Sequence, residues 1–278
     1  MNKYDFAIND FKNNGFVIIK KFFNEIELND FQESLVKLIK ITLEKLSKKY
    51  PDINIDNFDG KELDEGILKL EETDADFVSD IYDIIPTMPS FMRLTAKREL
   101  SELINIIFGR EKTSPLYTFT NRCRIDPPFI SRKSTKWHQE IFYTIPKSNF
   151  IQTWSPLIRD ITKNNGSLEV CLQSHKGGIA KQSYCLEKDN PNAFNIDQAV
   201  IDKYKKTTIE LKLGDLMIFS PNLFHRSGPN ISNQVRYTNI GIFHNIDYPT
   251  FRPPQPTFTY KYSSPAKYYS EVFRTQKI

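Results

Sequence analysis

Cysteine is scarce in this chain: three residues (Cys123, Cys171 and Cys185) stand among 278. None forms a Cys-x-x-Cys pair, and the odd count argues against a disulfide framework or a zinc ribbon. A reducing interior is the simple reading, with Cys123 and Cys171 expected as buried packing residues. Long apolar runs are missing too. No uncharged stretch is long enough to span a bilayer, and Asp5, Asp10 and Lys12 interrupt any signal-peptide core at the start. A cytoplasmic protein without membrane contact is the expectation. Charge of one sign is not concentrated anywhere: 38 basic and 34 acidic residues are interspersed for a net charge of +4. That pattern gives no footprint for nucleic acid.

What the chain does contain is an ordinary globular composition, 39% hydrophobic and 26% charged, ample for a hydrophobic core. Asn13-Asn14-Gly15 reads as a turn after a short helical start, and Phe16-Val17-Ile18-Ile19 as a strand. Asn24 is placed to cap a helix whose apolar residues Leu28, Phe31, Leu35, Leu38 and Ile39 recur at helical spacing, ending near Tyr50-Pro51. Residues 52–90 are polar and acidic with weak helical patterning, expected to pass over the active-site end. Met92–Phe108 is predicted as one amphipathic helix closed by Gly109.

From Leu116 the pattern changes to strands: 117–125, 137–145, 150–158, 167–172, 207–211, 216–220 and 237–244. Residues 173–205 read as a long loop with some helix, and 245–278 as a loop tail rich in Pro and aromatics. No βαβ alternation follows residue 110, which excludes a Rossmann-type sheet. The predicted fold is mainly β with flanking helices, a jelly-roll core in a single domain over 1–278. Its parts are a mostly helical 1–110, a core at 111–244 and the tail at 245–278.

The chemistry gathers between Trp137 and Arg236. His138 and Glu140 are two apart, so on extended backbone both project to one side. His225 follows, with Ser227 on the same strand face, and Arg236 comes eleven residues later. Two imidazoles and one carboxylate on one face of a metal leave its other positions open, as non-haem Fe(II) oxygenases require. Arg236 can pair bidentately with a carboxylate. A lone His-x-acid pair arises often by chance; the ordered set is what gives this one weight.

In order and spacing the chain resembles the phytanoyl-CoA dioxygenase-like family of Fe(II)/2-oxoglutarate oxygenases, which has a double-stranded β-helix (jelly-roll, cupin-like) core. The resemblance is carried by Trp137-His138-Gln139, Trp154-Ser155-Pro156-Leu157, Asn165-Gly166-Ser167-Leu168 and Gln173-Ser174-His175. It continues through Leu213-Gly214-Asp215-Leu216, His225-Arg226-Ser227-Gly228-Pro229-Asn230 and Arg236. It implies Fe(II) on His138, Glu140 and His225, and 2-oxoglutarate held by Arg236, Ser227 and Thr135. With O2 it implies oxidation, foremost hydroxylation, of a C–H bond with release of succinate and CO2. The family usually has His-x-Asp where this chain has His138-Gln139-Glu140, a carboxylate one methylene longer. Because a carboxylate is present, the halogenase variation is disfavoured.

Thr120, Arg122 and Arg124 share one strand face, and Gln152 lies on another. These four are the substrate-contact candidates, and the two guanidiniums suggest a small polar or anionic metabolite of a biosynthetic pathway. A solvated outer face for the arginines is the alternative. A homodimer is compatible with the chain. Two other function classes stay open: a catalytically degenerate jelly-roll binding or regulatory protein, and a cupin-type iron enzyme that does not use 2-oxoglutarate.

Overall fold

Alternation of side chains along five central strands builds this molecule, because both faces of one sheet are covered. The computed structural model describes residues 4–55, 58–118, 121–130, 135–145, 147–187 and 190–253. The helices are α1 (Asp5–Asn14), α2 (Glu25–Lys49), α3 (Ile67–Thr73), α4 (Asp76–Ile84), α5 (Pro89–Thr95), α6 (Arg98–Phe108) and the single turn α7 (Gln198–Ile201). The strands are β1 (Phe16–Ile19), β2 (Leu116–Thr118), β3 (Arg122–Asp126), β4 (Phe150–Pro156), β5 (Leu168–Cys171), β6 (Gln182–Glu187), β7 (Asn190–Ile196), β8 (Lys206–Ile209), β9 (Leu216–Phe219), β10 (His225–Ser227) and β11 (Arg236–Asn245).

A six-stranded antiparallel sheet runs β1-β9-β4-β11, with β2 and β3 both pairing with β11. A three-stranded sheet runs β10-β5-β8, and β6 pairs only with β7. On one face of the large sheet Val17, Ile19, Cys123, Ile125, Ile151, Leu216, Ile218, Tyr237 and Phe243 join a core with Phe31, Leu35, Phe91 and Leu103 of the helices. On the other face Trp154, Met217 and Phe219 pack with Leu168, Val170 and Ile209 of the small sheet. The two sheets are thus stacked through a shared apolar layer, the pocket lying between them at one end.

The N-terminal half follows its local signals. Asn24 and Glu27 form a reciprocal capping box, with the Glu27 N–H donating to Asn24 Oδ1 at 2.9 Å and the Asn24 N–H to Glu27 Oε2 at 3.0 Å. Gly15, at φ 85°, ends α1; a Cβ there would lie 2.5 Å from the His175 ring.

Several expectations need correction. Among the described residues helix outweighs strand, so the fold is mixed α/β rather than mainly β, and the sheets do not close into one barrel. The predicted Met92–Phe108 helix is broken at Lys97, where the backbone turns extended and the ammonium reaches the Glu27 carboxylate at 2.7 and 2.8 Å and the Phe22 carbonyl at 3.2 Å. A tertiary ion pair there outcompetes helix continuity. The 52–90 excursion does not cover the pocket. Ile67, Leu70, Val78 and Ile81 bury against the helical core, on the opposite face of the sheet. The 173–205 loop contains the β6–β7 hairpin and α7. The predicted 137–145 strand is a single bridge at His138 followed by a 3-10 turn, Glu140–Phe142. Of the tail, 254–278 lies outside the described residues.

Candidate metal centre and its pocket

His225 sits on β10, and its backbone exchanges both hydrogen bonds with His138, at 3.0 and 3.1 Å. Gln139 is extended (φ −113°, ψ 144°) before the chain turns at Glu140, whose N–H donates to the Pro221 carbonyl at 3.1 Å. One extended residue is enough for the same-side placement that a full strand was expected to provide. Gln139 itself is fully buried and saturated: its amide donates to the Gly178 and Asn222 carbonyls at 2.8 Å, and its Oε1 accepts from the Ala180 N–H at 2.9 Å.

His138, Glu140 and His225 are all buried, and their ligand atoms lie within 4.8 Å of one another. Glu140 Oε2 is 3.6 Å from His138 Nε2 and 3.7 Å from His225 Nε2. The Nδ1 atoms face carbonyls, Lys136 O at 2.6 Å and Leu223 O at 2.9 Å. A carbonyl can only accept, so each Nδ1 carries the proton and each Nε2 presents its lone pair inward, the tautomer a metal needs. In the metal-free cluster burial raises the carboxyl pKa of Glu140, and hydrogen bonding and charge from an imidazole that takes up a proton at Nε2 outweigh this and hold it below the usual carboxylate range; a cation at that place would do the same with both lone pairs facing it. Burial, with His138 beside it, lowers His225, so its ring stays neutral at pH 7. First-row metal–nitrogen and metal–oxygen bonds of about 2.1 Å put adjacent ligands about 3 Å apart; this cluster is slightly wider and can close on an ion. The donor set fits a divalent transition metal with open positions.

Arg236, at the start of β11, is 97% buried beside the cluster. Its Nε and one Nη donate to Asp126 Oδ2 at 3.2 and 2.8 Å, while Nη1 is buried with no partner. A buried guanidinium N–H left open is costly unless a ligand accepts from it. Gly166, at φ 91°, leaves the space that this nitrogen fills: a Cβ would lie 2.6 Å from Nη1. Thr135 and Ser227 also meet here. The Ser227 N–H donates to Thr135 Oγ1 at 2.8 Å, and that hydroxyl donates to Ser227 Oγ at 3.1 Å.

Of the substrate candidates, Arg122, Arg124 and Gln152 line the same pocket, while Thr120 lies outside the described residues. Arg122 is exposed at the border of the pocket, and Arg124 is mostly covered. Gln152 is buried with its Oε1 unpartnered. Three residues escaped the sequence reading. Asp126 ties Arg124 to Arg236; its parity with Arg122 and Arg124 was the signal. Tyr143 stacks edge-on against His138 with ring centroids 5.4 Å apart, and Lys136 borders the pocket; neither belongs to a periodic pattern. His175 lies outside the pocket, its Nε2 at 3.1 Å from the Lys12 carbonyl.

The sequence profile "Phytanoyl-CoA dioxygenase (PhyH)" matches residues 11–238. The human peroxisomal phytanoyl-CoA dioxygenase is 20% identical over 226 residues, 79% of this chain and 62% of the relative. A probable phytanoyl-CoA dioxygenase of Caenorhabditis elegans is 22% identical over 79% of this chain and 68% of its own. The chain thus spans a little under two thirds to just over two thirds of these relatives' length. Among solved structures, the epimerase SnoN in complex with Fe3+, alpha ketoglutarate and nogalamycin RO superposes with TM-score 0.59 at 12% identity, covering 87% of this chain and 83% of the other. EctD from S. alaskensis with 2-oxoglutarate and 5-hydroxyectoine gives TM-score 0.59 at 17% identity, covering 89% and 79%.

Proposed function

Since the chain belongs to the phytanoyl-CoA dioxygenase family, we propose that it is an Fe(II)/2-oxoglutarate-dependent oxygenase that hydroxylates a small polar metabolite. The observation that carries this reading is the buried His138–Glu140–His225 cluster with the open Nη1 of Arg236 beside it. In this reading the stacked sheets form a double-stranded β-helix core within one domain. His138, Glu140 and His225 hold the metal. Arg236, with the hydroxyls of Ser227 and Thr135, holds the far carboxylate of 2-oxoglutarate. Iron bound there supplies O2 activation coupled to oxidation of 2-oxoglutarate to succinate and CO2, and so oxidation of a substrate C–H bond.

The chain's own residues do the positioning. The Lys136 and Leu223 carbonyls fix the tautomer and tilt of both rings. Asp126 holds the Arg236 guanidinium in one plane, so its free edge is oriented before any ligand arrives. Trp154, Leu168, Phe219 and Ile240 line the pocket with apolar surface and exclude water. Glu140 does the work of the shorter Asp because its backbone has already entered a helical turn, and the longer side chain still brings Oε2 to both rings.

The test is anaerobic titration of Fe(II)-loaded protein with 2-oxoglutarate, following the weak visible band of the chelate. The band is expected with the native chain. Arg236→Ala retains iron and loses 2-oxoglutarate affinity by roughly 10–100-fold, the worth of a charged hydrogen-bond pair. Unchanged affinity in that variant would remove the co-substrate assignment. Iron binding with no band in the native chain would favour a metal enzyme that does not use 2-oxoglutarate.

A further inference from the structure

Resting on the oxygenase reading, we propose that the pocket mouth holds a second anion site, built on Arg122 and Arg124 and separate from Arg236, and that the substrate carries a dianionic group there, a phosphate monoester. Alternation along β3 puts Arg122, Arg124 and Asp126 on one face, and the pairing with β11 sets Asp126 opposite Arg236, Arg124 opposite Thr238 and Arg122 opposite Ile240. Among the described residues Asp126 is the acid in direct contact with these guanidiniums, while Glu140 acts on Arg124 only through space. Asp126 Oδ1 takes Arg124 Nε at 2.7 Å and its Oδ2 takes Arg236. One carboxylate therefore answers two guanidiniums, and the terminal nitrogens of Arg124 keep no partner among the described residues. Arg122 makes no ion pair among the described residues at all, although it borders the pocket.

Charge balance points the same way. The guanidiniums of Arg122, Arg124 and Arg236 face Glu140 and the adjoining Asp126. A divalent ion and a dicarboxylate co-substrate cancel one another, so the guanidiniums leave the wall net positive. A cleft of one sign concentrates the opposite charge. Arg122 lies four strand positions from Asp126, about 13 Å along the backbone, beyond a five-carbon dicarboxylate anchored on Arg236. Arg122 and Arg124 stand about 7 Å apart on one face, close enough for two planar forks to donate to the terminal oxygens of one phosphate. A carboxylate offers two acceptor oxygens to the two forks, where a phosphate monoester offers three.

The experiment is calorimetric titration with inorganic phosphate of anaerobic Fe(II)-loaded protein saturated with 2-oxoglutarate. Saturable binding is expected, weakened about tenfold or more in Arg122→Gln, with the chelate band and 2-oxoglutarate affinity of that variant unchanged. Acetate, with one charge, is expected to bind more weakly than phosphate. No saturable phosphate binding overturns the proposal, as does binding that Arg122→Gln leaves intact. Phosphate that abolishes the chelate band sits on Arg236 and overturns it too; acetate binding as tightly as phosphate overturns the dianion. If the native chain forms no chelate band, the oxygenase reading fails on its own, and phosphate titration of the metal-free protein and its Arg122→Gln variant still decides whether the anion site exists.

Discussion

The two faces of the six-stranded sheet are made by the same strands and differ in kind. On β3, Cys123 and Ile125 turn to the helices while Arg122, Arg124 and Asp126 turn to the pocket; on β11, Tyr237 and Phe243 oppose Arg236 and Ile240 in the same way. Burial does not separate the faces, since Arg236 is 3% exposed and Tyr237 1%. Polarity does. Replacing a buried ion pair by packed hydrophobic residues is often neutral or stabilising, so the Arg124–Asp126–Arg236 group is poorly explained by stability. The helical face packs into the larger apolar core, and the other carries, beside its apolar layer against the small sheet, a patch of desolvated charge at the pocket.

The largest expected effect breaks the pocket face alone. His225→Ala removes one of three ligands, and Fe(II) affinity falls by more than the roughly 10–100-fold that loss of a supporting hydrogen bond costs, measured by anaerobic metal titration. The unfolding midpoint moves little. Retained affinity would show that this cluster is not the metal's home. On the helical face, Phe91→Ala empties a fully buried ring site against Phe31 and costs about 3–5 kcal/mol by urea unfolding. The folded fraction should keep native 2-oxoglutarate affinity. A large loss of affinity at unchanged stability would mean that the faces are coupled.

How far the sequence carried this division depends on what kind of signal each part has. Leu28, Phe31, Leu35 and Ile39 announce a helix because their spacing is local, and Asn24 with Glu27 announces its start. The candidate metal site was legible because His138, Glu140 and His225 keep their order, with Arg236 following. The helical break at Lys97 was not, since it depends on Glu27, seventy residues away. Nor was the path of 52–90, whose weak amphipathicity says that a face is buried but not against what. Asp126 lies just past the predicted 117–125 strand; its pairing with two arginines needs the β3–β11 register. The β6–β7 hairpin lacks strong alternation and pairs with no other strand, so nothing in its pattern distinguished it from a loop.

The smallest effect concerns a histidine that shares strand parity with the pocket face and lies outside the pocket. His244 is fully buried at the far end of β11, its Nε2 3.1 Å from Thr144 Oγ1 and its Nδ1 2.9 Å from Ser148 Oγ, with Phe150 against the ring. The Ser148 hydroxyl already donates to the Ile145 carbonyl at 2.8 Å, so it accepts from Nδ1–H and the ring is neutral. Burial lowers its pKa to about 4. An unfolded histidine titrates near 6.5, so between about 6.5 and 4 the unfolded chain binds the extra proton. The stability tied to the neutral ring is therefore complete above about 6.5 and lost as pH falls toward 4, on the order of 3 kcal/mol. Other groups take up protons over the same range, so the readout is a difference: urea unfolding of the metal-free chain against His244→Gln across it. The variant should be less stable at pH 7 and lose less on acidification. Equal acid sensitivity in both chains would move the effect away from His244 to groups elsewhere in the fold.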